Sequence, residues 1–425
     1  MDLEIEGNDD MGPMSHRRAL FASLVGTAVE FYDFYVYATA AALVFGPLFF
    51  PGKYQQLAAL ASFGVAFIAR PLGGIAFGHF GDRLGRKSTL VASLMLMGAS
   101  TVLIGFLPTY AMIGWAGPLL LCLLRFGQGF GLGGEWGGAV LLAVENAPPG
   151  WANRYGSFPP MGAPVGFIVA NGFFLILGMT LNETQFLEWG WRIPFIASAV
   201  LIALGLWVRL TLTETPAFLA AAKVRAPAKV PVGELLRDHF RPTVAGIFGV
   251  VACFALFYIA SVFALGYGTK QLHYGRESFL VAQLIAMLFL ALGIVLGGIY
   301  SDRKSAAKTL FFAFLLTVPV GLSLPYLLVA GSLASVFAWL AFALFVMGFA
   351  YGPLGGWMPT LFPARVRYTG VAITFSTGGV IGGSVTPFVA QGLADAGNLA
   401  AVGYLLAGAG MLSLLGLAIT PRETR

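Results

Sequence analysis

The ten residues Gly78–Lys87, GHFGDRLGRK, form a short polar stretch between two long apolar segments. Their glycines permit a tight turn with positive φ, and Asp82 is placed to cap the helix that follows. Arg83, Arg86 and Lys87 put positive charge at the end of an apolar segment, which is typical of the cytoplasmic ends of transmembrane helices. The stretch therefore predicts a basic turn that joins two membrane-spanning helices.

A related stretch, Gly297–Lys304 (GGIYSDRK), lies about 220 residues further along the chain. It keeps the acidic and basic pair as Asp302 and Arg303, but Ser305–Ala307 replaces the Gly-Arg that follows in the first copy. Two further matches occur in the same order, Arg125–Gly129 with Phe345–Phe349 and Arg154–Gly156 with Arg367–Gly370. These repeats predict a duplicated six-helix unit with a weaker second turn and a substrate site between the halves.

Composition places the chain in a lipid bilayer. Of its 425 residues, 58% are hydrophobic and 10% are charged, whereas soluble domains are about 25% charged. Apolar segments of spanning length predict an all-α membrane protein with twelve transmembrane helices. The predicted organisation is an N-terminal tail (1–18), a six-helix bundle (19–212), a linker (213–241), a second six-helix bundle (242–420) and a C-terminus (421–425).

The distribution of positive charge predicts the orientation. With the N-terminus in the cytoplasm, 19 of the 25 lysines and arginines fall on the cytoplasmic side, 4 on the other side and 2 within helices. This is the positive-inside pattern, so both termini are expected in the cytoplasm. No basic stretch is interleaved with aromatic residues, which excludes nucleic acid as a partner. The two cysteines and four histidines predict neither a disulfide framework nor a metal site.

Five charged residues fall within predicted helices, all in the first half: Glu30, Asp33, Arg70, Arg125 and Glu135. Each costs about 2.5–3.5 kcal/mol at the centre of a bilayer if unpaired, which makes the set expensive to keep. These residues must therefore pair with one another, face a hydrated cavity or lie near the interface. A salt-bridge cluster is the structural alternative, but for the whole set a function in transport is favoured.

Charge type suggests the roles within this set. The arginine fork suits a substrate carboxylate, so Arg70 and Arg125 are candidate ligands for an organic acid. Glu30 and Asp33 share a helix face and are candidate proton carriers, in either order. Glu135 is a further proton candidate, or a partner of one of the arginines. Other residues predicted at a substrate site are polar or aromatic, although such residues more often serve packing: Tyr32, Gln128, Tyr258, Tyr351 and Trp357.

Several motifs together resemble one family. They are Gly26–Tyr35 (GTAVEFYDFY), Ala69–Gly74 (ARPLGG) with the Gly78–Lys87 turn, Arg125–Gly138 (RFGQGFGLGGEWGG), Trp189–Pro194 (WGWRIP) and Phe362–Gly370 (FPARVRYTG). The chain resembles the metabolite:H⁺ symporter branch of the major facilitator superfamily, and most of all its shikimate-type group. The resemblance covers essentially the whole chain and is densest in the first half.

The resemblance implies two pseudo-symmetric six-helix halves and proton-coupled import of a small polar metabolite through a bacterial inner membrane by alternating access. It implies no cofactor beyond the proton gradient and a functional monomer. The family's cytoplasmic latch falls on Gly78, Asp82, Arg83, Arg86, Asp302 and Arg303. The tryptophan-flanked Arg192 matches an arginine before helix six, as an outer gate or as a side chain that reaches the interface.

Three other functions are weighed against this one. A zwitterionic osmolyte such as betaine or proline is the main alternative substrate, because the branch is mixed in what it carries. A drug/proton antiporter is less favoured, since Gly162–Gly166 (GAPVG) only faintly matches the helix-five signature of that class. An enzyme is not supported, because no nucleophile–histidine–acid set or metal-ligand cluster lies within reach.

Overall fold

The computed structural model of the chain describes residues 13–52, 55–210 and 231–420. The regular elements of these residues are helices, and twelve of them are numbered here: α1 Pro13–Ala40, α2 Gln55–Leu84, α3 Arg86–Gly105, α4 Ala116–Glu145, α5 Gly162–Thr180, α6 Arg192–Leu210, α7 Phe240–Tyr258, α8 Arg276–Arg303, α9 Ala306–Leu328, α10 Leu333–Trp357, α11 Arg367–Gly379 and α12 Leu399–Ile419. Residues 1–12 of the predicted N-terminal tail, the C-terminus and most of the predicted linker lie outside the described ranges. Residues 13–18 of the predicted tail belong to α1, and Pro231–Asp238 forms a helix within the linker.

Within these ranges, ten helices are long and apolar enough to cross a membrane, and the bent pair Glu183–Gly190 and Arg192–Val208 makes a further span. The helix α4 is 30 residues long, which is about 45 Å and enough to cross a bilayer. Its mean hydropathy is lower because Arg125, Gln128 and Glu135 interrupt its apolar sequence. With α4 included, the described residues contain the twelve predicted spans.

The two halves repeat one packing pattern. In the first half, α2 packs on α4, α3 on α4 and α6, and α1 on α5. In the second half the equivalent pairs are α8 with α10, α9 with α10 and α12, and α7 with α11. The halves meet where α2 packs against α11 and where α5 packs against α8. The side of the bundle with the α2–α3 turn, the α8–α9 turn and helix Pro231–Asp238 is called the linker side below.

Four π turns occur among the described residues, and one of them, Phe186–Gly190, belongs to the bent pair before α6. The π turn Ala41–Phe45 follows α1, Ile259–Phe263 follows α7 and Val380–Val385 follows α11. The first two occupy equivalent places in the repeat. At the turn after α7, Gln283 donates hydrogen bonds to the carbonyls of Ala260 and Ser261, both at 2.8 Å. A π turn frees such carbonyls from the helix ladder, and Gln283 satisfies them from α8.

Glycines let α2 and α4 approach closely enough for their backbones to touch. A Cβ on Gly73 would lie 1.8 Å from the carbonyl oxygen of Phe130, and one on Gly133 would lie 2.1 Å from that of Arg70. Small residues at helix crossings are the usual basis of tight packing in membranes. The α2–α4 contact therefore fixes the position of Arg70 relative to α4.

We expect Gly73→Ala to destabilise the protein by about 1–3 kcal/mol, because the added methyl group would meet a backbone carbonyl that cannot move alone. The measurement is thermal unfolding of the purified protein in detergent. Gly64→Ala on the same helix is the matched control, since a Cβ there has nothing within 4 Å. Equal melting temperatures for the two variants would contradict the prediction.

Candidate functional site

The two halves enclose a small central cavity. It is lined by Phe31 and Tyr35 from α1, Ala163 from α5, Cys253, Phe254, Phe257 and Tyr258 from α7, and Met347 and Tyr351 from α10. Its volume is about 10 Å³, which is at the lower limit for one water molecule. Tyr258 and Tyr351, both predicted at a substrate site, therefore lie at the interface of the halves.

Arg70 extends from α2 toward the second half. Its guanidinium carbon lies 5.6 Å from the ring centroid of Phe254 and 5.5 Å from that of Phe375. The side chain is buried, and its Nε has no hydrogen-bond partner among the described residues. Arg70 thus presents a positive charge to aromatic rings of α7 and α11 and keeps a donor available for a ligand.

Glu30 lies within electrostatic range of two tyrosines that line the cavity. It is fully buried on α1, and two cavity tyrosines, Tyr35 and Tyr351, are each within electrostatic range of both Glu30 and Arg70. The structure therefore brings together a carboxylate predicted to carry protons and an arginine predicted to bind substrate. Opposite charges at one buried site stabilise each other, so a ligand or proton that neutralises one changes the other.

Arg125 sits in an aromatic cage formed within the first half. Its guanidinium carbon lies 4.6 Å from the Phe34 ring centroid, 4.1 Å from that of Tyr37 and 4.9 Å from that of Phe63. Nη1 donates a 3.1 Å hydrogen bond to Gln128 Oε1. The residue is 0% exposed, yet its Nε and Nη2 have no hydrogen-bond partner in the described part of the chain. The aromatic rings thus hold the guanidinium in place, while its Nε and Nη2 donors have no acceptor among the described residues.

Asp33 is buried between α1, α3 and α6. Its Oδ1 accepts a short hydrogen bond from the Ser198 hydroxyl, and the Thr101 hydroxyl lies next to the same carboxylate. Its Oδ2 has no hydrogen-bond partner among residues 13–52, 55–210 and 231–420. Asp33 is therefore not among the residues that line the cavity, and one of its two carboxylate oxygens is bound to Ser198.

Glu135 contacts Ser93 of α3. Its Oε2 accepts a 2.7 Å hydrogen bond from the Ser93 hydroxyl. The next residue, Trp136, stacks on Phe375 of the second half with a centroid distance of 3.7 Å and an interplanar angle of 3°. Tyr351 runs parallel to both rings. The segment around Glu135 therefore closes the cavity with an aromatic stack.

Arg70 and Arg125 are not among the residues that line the cavity, and neither are three further predicted substrate residues. The Tyr32 hydroxyl donates a 2.7 Å hydrogen bond to the Pro194 carbonyl, which joins α1 to α6. Gln128 uses both ends of its amide, since its Nε2 also donates to Thr101 Oγ1 at 2.7 Å. Trp357 is buried against Gly249 of α7. Tyr32 and Trp357 therefore serve helix packing, and Gln128 links Arg125 to Thr101 through hydrogen bonds.

Asp82 makes a contact between the halves on the linker side. Its carboxylate accepts hydrogen bonds from the backbone N–H groups of Tyr368 and Thr369 at 3.1 and 3.0 Å, and from the Thr369 hydroxyl at 2.8 Å. Asp82 therefore caps α11, and the expectation that it caps α3 is wrong. Gly85, with φ of 111°, precedes α3 without a side-chain cap. A Cβ on Gly78 would lie 2.7 Å from Thr369 Cα, so the turn and α11 touch.

Asp302 makes the equivalent contact in the opposite direction. It accepts hydrogen bonds from the backbone N–H groups of Asn153 and Arg154 at 2.9 and 3.2 Å, and Arg154 Nε lies 3.1 Å from its Oδ2. It thus caps the short helix Ala152–Gly156 of the first half. Although the second turn lacks the Gly-Arg of the first, its acidic residue makes the same kind of bond.

The basic residues predicted in this latch are less engaged. Arg83 contacts His79 of its own helix at 3.1 Å, and Arg303 is exposed. The Arg86 side chain lies outside what the structure describes. A contact that was not predicted joins the halves instead, because Arg367 Nη1 of α11 lies 3.8 Å from Glu145 Oε1 of α4. The linker side is closed by acidic groups on helix N-termini and by this ion pair.

We expect Asp82→Asn to open the linker side. A hydrogen bond to a charged group is worth about 1.5–3 kcal/mol, so losing the charge should raise the open population about tenfold or more. The measurement is the rate of maleimide labelling of Cys253, which lines the cavity, in a Cys122→Ser background. Asp395→Asn is the control, because Asp395 bonds Gln391 on its own helix. Unchanged labelling in Asp82→Asn would refute the prediction.

Arg192 caps the end of α3. Its Nη1 donates hydrogen bonds to the carbonyls of Gly105 and Leu107 at 2.9 and 2.8 Å, and its guanidinium lies 4.5 Å from the Trp191 ring centroid. A cation at a helix C-terminus is favourable. These contacts lie within the first half, so the structure gives Arg192 a packing role, and the predicted outer gate stays a prediction.

Sequence reasoning missed residues that the structure places at the site. The cavity residues Tyr35, Cys253, Phe254, Phe257 and Met347 are apolar or aromatic, as is most of the chain. Thr101 and Ser198 contact Asp33, but a hydroxyl in a membrane helix commonly bonds its own backbone. A local signal did exist for Gln128, which lies three residues after Arg125 and so shares its helix face.

Comparison with known proteins decides the class. Residues 18–234 match the family model "Sugar (and other) transporter". The inner membrane metabolite transport protein YhjE of Escherichia coli (strain K12) is 47% identical over 419 residues, which are 97% of this chain and 95% of that protein. The chain belongs to the major facilitator superfamily. The predicted family, the membrane-embedded helical fold and the transporter class are thereby confirmed.

Other relatives of this major facilitator transporter carry different substrate names. The shikimate transporter of E. coli (strain K12) is 38% identical over 415 residues, 92% of each chain. A proline/betaine transporter of the same strain is 31% identical over 428 residues, 96% of this chain and 84% of that one. A solved structure of the proton:xylose symporter XylE has the same fold, with a TM-score of 0.79, 14% identity and 95% coverage of both chains.

Proposed function

We propose that this transporter is a proton-coupled symporter that imports a small organic carboxylate by alternating access. The observation that carries the proposal is Arg125, a fully buried guanidinium whose Nε and Nη2 donors have no partner among the described residues. Leaving charged donors unsatisfied in a membrane interior is costly, and a carboxylate of matching geometry would satisfy them. Arg70, whose guanidinium lies next to the cavity residue Phe254, offers a further donor through its Nε.

Proton coupling is supported by the buried carboxylates of α1. Asp33 has one oxygen without a hydrogen-bond partner in the described ranges, and Glu30 lies, with Arg70, within electrostatic range of the cavity residues Tyr35 and Tyr351. An intramembrane carboxylate near a substrate-binding arginine can hold a proton in one state and release it in another. Import is then driven by the proton gradient without a further cofactor.

The orientation and location belong to the same proposal. The positive-inside pattern supports a cytoplasmic linker side, with both termini in the cytoplasm. The bacterial inner membrane is the proposed location, and one chain contains both halves of the pathway, so a monomer suffices. A reporter fused at the C-terminus tests the orientation, because phosphatase activity there would place the terminus outside the cytoplasm.

The decisive experiment is uptake into proteoliposomes with and without an imposed pH gradient. The panel contains radiolabelled shikimate, succinate, citrate and glycine betaine. We expect accumulation of a carboxylate above the external concentration only when the exterior is acidic, and its collapse when a protonophore is added. Accumulation that is indifferent to the gradient would refute proton coupling, and transport of glycine betaine alone would refute the carboxylate.

A second candidate substrate is a zwitterionic osmolyte. The cavity lining includes the rings of Phe31, Tyr35, Phe254, Phe257, Tyr258 and Tyr351. Aromatic faces recognise quaternary ammonium groups through cation–π attraction, and Glu30 adds negative charge at the same cavity. This reading predicts that glycine betaine is accumulated and that shikimate does not compete with it.

A further inference from the structure

A chain of side-chain contacts connects Arg125 to Asp33. Arg125 Nη1 donates to Gln128 Oε1 at 3.1 Å, and Gln128 Nε2 donates to Thr101 Oγ1 at 2.7 Å. The Thr101 hydroxyl in turn lies next to the Asp33 carboxylate. The three members after Arg125 are buried, so bulk water does not compete for these contacts. Two helices, α3 and α4, thus link an anion site to a carboxylate on α1.

Thr101 has two competing uses for its single hydroxyl proton. It donates to the carbonyl of Met97 at 3.0 Å in its own helix, and it is placed to donate to Asp33. The Thr101 oxygen already accepts a hydrogen bond from the Gln128 amide. The single hydroxyl proton can therefore be donated either to the Met97 carbonyl or to the Asp33 carboxylate. An ionised Asp33 is the stronger acceptor, because hydrogen bonds to charged groups are stronger than neutral ones. The direction of the Thr101 hydroxyl therefore depends on the charge of Asp33.

We propose that Gln128 and Thr101 are positioning residues that couple anion binding at Arg125 to protonation of Asp33. When a carboxylate occupies the free edge of Arg125, Nη1 donates less strongly to Gln128, and the polarisation of the Thr101 hydroxyl by the Gln128 amide changes with it. The support that Thr101 gives to the Asp33 anion then differs between the occupied and empty states. The inference rests on the proposed function, because it assigns Arg125 to the anion and Asp33 to the proton.

The helices packed against Asp33 carry other ionisable residues along their sequences. On α1 they are His16, Arg17, Arg18, Glu30, Tyr32, Tyr35 and Tyr37, on α4 Cys122, Arg125, Glu135 and Glu145, on α3 Arg86 and Lys87, and on α6 Arg192 and Arg209. The helix α5 contains no ionisable side chain. Of the groups on α3 and α6, all lie at helix ends, so Thr101 and Ser198 are the polar side chains that these helices bring to Asp33.

The test is an infrared titration of the purified full-length protein, following the protonated carboxyl band that Asp33→Asn removes. This readout needs no knowledge of the solute. We expect Thr101→Val to move the midpoint of that band by about one pH unit, whereas Thr101→Ser, which keeps the hydroxyl, titrates like the wild type. Thr317→Val is the matched control. Thr317 is also buried, and its hydroxyl donates to the i−4 carbonyl of Ala313.

The variant Gln128→Leu tests whether Arg125 acts on Asp33 through Gln128, or whether the Thr101 hydroxyl acts on Asp33 alone. In the wild-type background it should move the midpoint, because the Thr101 hydroxyl loses its donor. In the Thr101→Val background it should have no further effect, since interacting positions are not additive. If Thr101→Val does not give a monodisperse protein, Thr101→Ala in the same cycle decides the question.

The proposal is overturned if Thr101→Val titrates like the wild type, if Asp33→Asn removes no titrating band, or if Gln128→Leu shifts the midpoint equally in both backgrounds. These outcomes differ from failure of the proposed function. A wild type that accumulates a carboxylate under a pH gradient but shows no such shifts would keep the proposed function and lose the bridge. The shifts without gradient-driven accumulation would keep the bridge and refute symport.

Discussion

Replacing Arg125 with lysine is expected to reduce uptake of a carboxylate solute by about 100-fold while the protein stays folded. Lysine keeps the positive charge, but it is a point charge that cannot present two parallel donors to a carboxylate. It also cannot stack as a plane among Phe34, Tyr37 and Phe63, so the ammonium group would not be held where the guanidinium is. A 100-fold loss corresponds to about 2.7 kcal/mol, within the range for truncating a buried charge-assisted contact.

The matched control for this variant is Arg192→Lys. Arg192 is also an arginine with cation–π contact, but its donors are bound to carbonyls at the end of α3. We expect that variant to keep uptake within about threefold, because lysine also interacts favourably with a helix C-terminus. Initial rates and half-saturation concentrations in proteoliposomes provide the comparison. Full carboxylate uptake by Arg125→Lys would remove Arg125 from the anion site.

The fold could be predicted from sequence because the membrane imposes a strong constraint. A span must be long and apolar, so charged residues inside one are conspicuous, and Glu30, Arg70 and Arg125 stand out for that reason. The internal repeat added the division into halves. Even α4, whose polar residues lower its hydropathy, could be recognised because glycine and leucine continue on both sides of them.

The partners of these residues could not be predicted in the same way. Asp82 lies 286 residues before Tyr368, whose N–H it accepts, and no local pattern distinguishes this contact from a cap on α3. The cation–π cage of Arg125 draws its rings from α1 and α2, where aromatic residues are too common to single out. Sequence thus identified which groups are costly to bury, and the three-dimensional packing determines what offsets that cost.

The two acidic residues of the latch make equivalent contacts although the two turns match only in part. Asp82 and Asp302 each cap a helix of the other half, so the contacts cross in both directions. A carboxylate on a helix N-terminus depends on the alignment of backbone N–H groups and needs no particular side chain from its partner. This explains why the second copy can lose its Gly-Arg and still form the contact.

Asp33→Asn is expected to abolish accumulation driven by a pH gradient while solute exchange continues. A gradient of two pH units stores about 2.7 kcal/mol per proton, enough for about 100-fold accumulation with one proton per solute. Asparagine preserves the shape of Asp33 and can still accept the Ser198 hydroxyl through its amide oxygen, but it cannot gain or lose a proton. The accumulation ratio should therefore fall to about one, while exchange of internal for external solute should persist.

Glu30→Gln separates the two candidate proton carriers. Glu30 and Arg70 act on the same two cavity tyrosines, so loss of the Glu30 charge should weaken or alter solute binding and slow exchange as well as accumulation. Asp33 does not line the cavity and, as the proton carrier, should affect accumulation alone. Measuring both ratios in both variants assigns the roles, because a proton carrier that does not touch the solute has no reason to slow exchange. If Asp33→Asn accumulates solute like the wild type, the coupling carboxylate is elsewhere, and Glu30 becomes the remaining candidate at the cavity.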